Sequence, residues 1–180
     1  MKETEIQNNF KQYCHSKEES NAPFIPLLIK LGMKLNGLPW IKKDSITLAS
    51  RYGKRLLITT KNLDITNLKR QDFIEIIDVD PVKKIILYFG PSFPPDITPY
   101  LWVMHYAKKE LQFSIYFKYE HEENIIESLP YIEKKGDFID IVKKMLLLLQ
   151  QTSGFQFNTN GIIITGQTMN EIEKIINTKR

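Results

Sequence analysis

"FNTNGIIITGQTMNEIEKII", residues 157–176, decides how this chain folds. The run of isoleucines over 161–165 reads as a strand, Gly166 and Gln167 as a turn, and the residues from Thr168 as a helix. Thr168 with Glu171 three residues later is a capping-box pair, in which each side chain covers a main-chain N–H that the helix start leaves open. Met169, Ile172, Ile175 and Ile176 recur at spacings of three and four, so the helix buries one stripe. Asn160 precedes Gly161, and an Asn-Gly pair suits a turn at a strand start.

Similar elements extend toward the N-terminus. Residues 137–150 predict a helix with Phe138, Ile141, Val142, Met145, Leu148 and Leu149 on one side. Residues 111–119, "LQFSIYFKY", alternate as a strand does. The loop "GPSFPPDITP", residues 90–99, holds four prolines and can lie neither inside a helix nor in a central strand. Thr98 is expected to N-cap a helix running to 109, with Leu101 and Met104 inward and Tyr100 beside them. Residues 72–79 and 83–89 predict two strands joined at Asp80-Pro81, and 55–60 a shorter strand before them. Residues 25–35 read as a buried helix and 4–18 as a charged amphipathic one. The strand-rich middle points to hairpins rather than repeated βαβ units.

Composition bounds the function. The chain of 180 residues is long enough for one core, and 42% hydrophobic residues exclude a disordered chain. Residues 1–20 are expected to form a charged N-terminal helix or arm, and 21–180 a single domain. The net charge of +4 is spread over lysine pairs with no long basic run, which argues against nucleic acid as partner. Cys14 is the single cysteine, so no disulfide closes within the chain, and a reducing cytoplasmic setting is expected. No leader-like apolar segment opens the sequence, and "MLLLLQ" is too short to span a bilayer, so no membrane partner is expected.

Four segments together resemble the class II aldolase/adducin family: "LLITTKNLDITNLKRQDFIEIIDVD", "GPSFPPDITPYLWVMHYAKK", "LQFSIYFKYEH" and "NGIIITGQTMNEI". Their order and spacing agree over about residues 25–176. The resemblance implies a three-layer α/β/α sandwich around a largely antiparallel central sheet, often assembled as a cyclic tetramer. The enzymes it includes are sugar-phosphate aldolases and epimerases that use a divalent ion; the head domain of adducin also has this fold.

Position by position, the chemistry of that family is replaced. The paired histidines of the ligand strand are matched by Tyr116 and Lys118, and the histidine before the glycine by Asn160. Zinc takes neutral imidazole, thiolate or carboxylate; a lysine cation repels it, and phenol and carboxamide bind it poorly. The acid/base carboxylate falls near Ile97, with Asp96 one position away. The phosphate loop is matched by "ITLAS", residues 46–50, of which Ser50 alone survives; a second phosphate turn is matched by Thr60, Lys61 and Asn62, after Thr59. No cofactor is therefore expected, and no metal; the weak catalytic candidates are Asp96 and Lys118. A small anion could be held by Ser50, Thr59, Thr60, Lys61, Tyr116, Lys118 and Asn160, with Lys118 placed to pair with Asp96.

Other clusters read more simply. His121 among Glu120, Glu122 and Glu123 suits a charged helix start, and His105 a partly exposed helix position. Cys14 beside His15 is not by itself a nucleophile–base geometry. Arg51, Lys54 and Arg55 in "SRYGKR" could bind an anion or simply line a surface hairpin. Trp40, Phe93, Tyr100, Trp102 and Tyr119 exceed what the predicted core needs, Trp102 foremost, and such aromatics are enriched at interfaces. The expectation is a catalytically inactive domain serving assembly or partner binding, as a homo-oligomer or with a protein partner, and with Trp102 at the contact. The alternatives are a sugar-phosphate aldolase, epimerase or dehydratase with a rebuilt metal site, and a binder of a small anionic ligand in the residual cleft.

Overall fold

The computed structural model describes residues 10–61, 63–119, 126, 128–133, 135–157 and 161–178. Among these residues nine strands form one sheet: β1 (Lys11–Ser16), β2 (Ile41–Tyr52), β3 (Arg55–Thr59), β4 (Phe73–Asp80), β5 (Ile85–Phe89), β6 (Phe113–Tyr119), β7 (Tyr131–Ile132), β8 (Gly154–Phe157) and β9 (Gly161–Gly166). Their order is β1-β5-β4-β3-β2-β6-β9-β8-β7. The outermost pairs β1/β5 and β7/β8 are parallel, and the six pairings between them are antiparallel. Four α-helices lie among the same described residues: α1 (Ile25–Asn36), α2 (Thr98–Ala107), α3 (Phe138–Leu148) and α4 (Met169–Asn177).

The helices divide between the two faces. Leu101 and Met104 of α2 and Ile141 and Met145 of α3 pack with Ile58, Ile76, Tyr116 and Ile163. Leu28 and Leu31 of α1 and Ile172 and Ile176 of α4 pack with Leu57, Ile115, Phe117, Ile162 and Ile164. The consecutive isoleucines of β9 thus point alternately into two cores, which is why the strand reads as a continuous apolar run. The α/β/α sandwich with a mostly antiparallel sheet is the architecture expected from the sequence. Thr168 does cap α4, accepting from Glu171 N–H, while the Glu171 carboxylate accepts from Gln167 N–H at 2.9 Å.

Several local expectations are corrected. Residues 11–16 are not helical: they form β1, bonded along β5, with Lys11 N–H donating to the Lys84 carbonyl at 2.8 Å. The open edge of β5 requires main-chain partners, and that demand outweighs the weak amphipathic pattern of the arm. This arm therefore belongs to the same sheet, and Phe10 packs edge-on to Phe138 of α3. β2 and β8 escape a pattern reading because both faces are covered: residues 46–50 and all of β8 are buried, so no alternation appears. Thr98 is the first residue of α2 rather than its cap, and its hydroxyl donates to the Pro95 carbonyl at 2.6 Å.

Trp102 is not spare either. Tyr100, Leu101, Trp102, Met104 and His105 are all buried, because α2 is enclosed by the sheet and α3 rather than resting on one side. Tyr119 is buried too, Trp40 is partly buried against Phe117, and of the five aromatics set aside only Phe93 is exposed, at 62%. Trp102, expected at a contact between chains, is instead buried within this one. No helix among the described residues is long and apolar enough to cross a membrane.

Gln156 on β8 ties the segment before β7 to the sheet. Its amide donates to the Ile126 and Leu129 carbonyls, both at 2.8 Å, and its oxygen accepts from Ile126 N–H at 3.0 Å. The residue has no exposure, so Gln156→Leu would strand three main-chain groups in the interior. Such a loss should lower the unfolding free energy by about 2–4 kcal/mol, measured by urea denaturation with the m-value unchanged.

Candidate functional site

The cleft is built where β6, the turn at Thr60 and Lys61 after β3, and the proline loop meet. On β6, Tyr116 and Lys118 are two residues apart and so share the sheet face covered by α2 and α3. Thr47 of β2 lies opposite Tyr116, and Gly161 of β9 opposite Lys118. The Tyr116 ring lies against the bare Cα of Gly161: a Cβ there would stand 2.8 Å from Cε2 and 3.0 Å from the hydroxyl. Any side chain at 161 would displace the phenol, so the glycine is required by this close approach.

The proline loop brings Asp96 to the same place. Lys61 Nζ donates to both Asp96 oxygens, at 3.0 and 3.1 Å, and Lys61 N–H donates to the Phe93 carbonyl at 2.9 Å. The loop is thereby pinned to the end of β3 by one main-chain and one ionic contact. Burial, and then the charge of Asp96, push the Tyr116 phenol up to about 12. Tyr116 is thus a neutral phenol at any physiological pH. It can donate or accept a hydrogen bond but offers no anionic ligand.

The structure separates the predicted site residues into three groups. Thr60, Lys61, Asp96, Tyr116 and Lys118 lie around the cleft, together with Thr47, which strand alternation within "ITLAS" could have placed there. Ser50 does not belong to it. It sits three residues along β2 from Thr47, about 10 Å at strand rise, fully buried and accepting from Gln112 Nε2 at 3.0 Å. Thr59 is also buried, and its hydroxyl accepts from Leu48 N–H at 3.0 Å, a structural bond between β3 and β2. Asn160 and His121, with Glu120, Glu122 and Glu123, fall outside the described residues. Asp96 pairs with Lys61 rather than with Lys118 as the sequence suggested.

His105 departs from its expected exposure. It is 3% exposed, with Nε2 2.8 Å from Ser114 Oγ and Nδ1 3.3 Å from the Leu111 carbonyl. Burial, then the charge of Arg51, lower its pKa to about 4. The ring is therefore neutral near pH 7: Nδ1–H donates to the carbonyl and Nε2 accepts from the serine hydroxyl. It is a satisfied interior histidine tying α2 to β6.

No protein-family model matches the sequence, and no curated protein matches it. Solved structures do match its fold. YgbL from Klebsiella pneumoniae, described as a putative aldolase/epimerase/decarboxylase, superposes with TM-score 0.68 at 11% identity, over 86% of this chain and 84% of its own. An L-fuculose 1-phosphate aldolase gives 0.68 at 13% identity, over 88% and 82%. A sugar-phosphate aldolase from Thermotoga maritima gives 0.64 at 12% identity, over 86% and 89%. The fold is that of the class II aldolases.

A class II aldolase fold raises the question of a divalent ion, and the donor set answers poorly. The matched ligand positions carry a neutral phenol at Tyr116, an ammonium at Lys118 and a carboxamide at Asn160. Among the described residues no three His, Cys, Asp or Glu side chains converge. Asp96, the carboxylate whose charge acts on Tyr116, already binds a cation, Lys61. These residues do not fit zinc, which is held by imidazole, thiolate and carboxylate.

The Tyr116 environment has a measurable consequence. An unfolded tyrosine ionises near 10, and the folded one only near 12. With the folded value raised, the stabilisation is complete below pH 10 and is lost as pH climbs from 10 to 12. The parent chain should lose roughly 3 kcal/mol more than Tyr116→Phe across that window, read as the difference between their stability–pH curves.

Proposed function

We propose that this chain is a non-catalytic domain of the class II aldolase fold, serving assembly with copies of itself or with a protein partner. The observation that carries this reading is the packing of the Tyr116 phenol onto Gly161, beside the closed Lys61–Asp96 pair. The Tyr116 ring occupies the space beside Gly161, and the Asp96 carboxylate is engaged by Lys61. An enediolate formed in such a cleft would find no Lewis acid among these side chains and no uncommitted acid/base carboxylate at Asp96. Assembly is supported by the exposed Phe93 on the loop beside the cleft, where Lys61 grips its carbonyl. An exposed aromatic on a pinned loop is a ready contact, since little ordering is lost when it is covered.

The activities in the names of the similar structures favour a second reading, a sugar-phosphate lyase with a metal site built from other residues. A third, a small anion held in the cleft, draws on the cations Lys61 and Lys118. Elemental analysis separates these. Chain purified without chelator should carry well under one equivalent of zinc, and a panel of ketose phosphates should be neither cleaved nor trapped on Lys118 by borohydride. Near-stoichiometric zinc lost on mutating His121, or an adduct at Lys118, would establish the lyase instead.

Assembly is tested independently. Light scattering on a size-exclusion column at micromolar concentration should give a homo-oligomer or, with native extract, a defined hetero-complex. Phe93→Ser should shift the distribution toward monomer by about tenfold in dissociation constant, the value of one well-packed aromatic contact. A clean monomer that retains no partner would end the assembly reading.

A further inference from the structure

A second recess lies at the other end of the same strands. Arg51, Lys54 and Arg55, from the β2–β3 hairpin, line it together with Trp102, His105 and Tyr106 of α2. Arg51 is four residues along β2 from Thr47, about 13 Å at strand rise, so this recess is separate from the cleft. Gly53, with φ of 59°, makes the tight turn that brings Lys54 and Arg55 back beside Arg51.

The three cations are held differently. Arg51 is locked in place by carbonyls: Nε donates to Leu111 at 3.1 Å, and Nη2 donates to Lys108 at 2.9 Å and to His105. Those acceptors are neutral; burial lowers the Arg51 pKa, and the charge of Glu110, itself paired with Lys108, offsets part of that cost. Arg55 is balanced by the buried Glu75 at 2.7 Å. Lys54 is exposed, and among the described residues no carboxylate pairs with it or with Arg51. With Glu110 acting on Arg51 only from beyond ion-pair distance, two cations therefore face a recess whose lining holds no acidic residue. One wall is aromatic: Trp102 is buried to its rim, and Tyr106 stands 75% exposed beside it.

We propose that this recess binds a small phosphate-bearing anion. Its two negative charges match Arg51 and Lys54. The Arg51 guanidinium is already oriented by carbonyls at the end of α2 and in the turn after it, so it loses little freedom when it takes an oxyanion. Tyr106 offers a face on which the non-phosphate part of the ligand can rest. The site involves neither the cleft nor its chemistry and stands whether or not the chain is catalytic.

Trp102 reports on the recess directly. In a Trp40→Phe background, which leaves Trp102 as the one tryptophan, inorganic phosphate titrated at constant ionic strength should change its emission saturably in about the millimolar range. Lys54→Glu, at an exposed turn without partners, should raise the half-point by about tenfold or more while leaving the thermal midpoint unchanged. Lys61→Ala, in the cleft, should leave the titration as it is. A response reproduced by chloride, retained in Lys54→Glu or lost in Lys61→Ala would overturn the proposal, as would no response at all.

Discussion

The ladder of β2, β6 and β9 is the constraint on which the rest of the structure depends. These central strands are covered on both faces, so each residue must satisfy one of two cores. Phe117, Ile162 and Ile164 enter one, Tyr116 and Ile163 the other. A slip of one residue would exchange the two sets and strand Lys118 in the interior opposite its present side. Two apolar cores, rather than one, therefore hold the register of β6 and with it the position of every cleft residue. At 0% exposure Ile162, Ile163 and Ile164 have no tolerance for truncation, since each would leave a cavity costing about 2–5 kcal/mol.

The same ladder gives the domain two ends of opposite character. At one, β6 presents Tyr116 and Lys118 beside a glycine, and the proline loop adds Asp96 in the grip of Lys61. At the other, the β2–β3 hairpin sets Arg51 against the carbonyls that end α2, with Lys54 and Arg55 around it. In the first, an exposed ion pair and a buried phenol lie together; in the second, cations gather beside an open aromatic surface. The fold is shared with solved sugar-phosphate aldolases at 9–13% identity, while the described cleft side chains do not form a set that suits zinc. The surplus charge lies elsewhere on the same sheet.

Much of the frame was legible because local and global preferences agree. The β9–turn–α4 unit carries its own signals, an isoleucine run and the Thr168–Glu171 box, and both act as read. The 72–79 and 83–89 hairpin and the alternation before Tyr119 were equally plain, and their register against a known fold placed Tyr116, Lys118 and Asp96 around one cleft. β2 and β8 were hidden, because a strand buried on both sides loses its period of two. The arm at 11–16 was misread as helix, since pairing with an edge leaves no mark in the sequence of the segment that pairs.

Sequence alone determined which chemical groups stand at the positions matched to the ligands of the similar fold: a phenol, an ammonium and a carboxamide, none of them a ligand that zinc favours. No folding can alter that, because donor character belongs to the side chain. Only the tertiary structure decided how those groups are used. Tyr116 lies on Gly161 because two strands from distant parts of the chain meet there, and Asp96 pairs with Lys61 across 35 positions of sequence. His105 and Trp102, each readable as a surface residue from its helix, are interior because α3 closes over α2. Burial and partner choice are properties of distance in space, and sequence spacing measures that distance only within a single element.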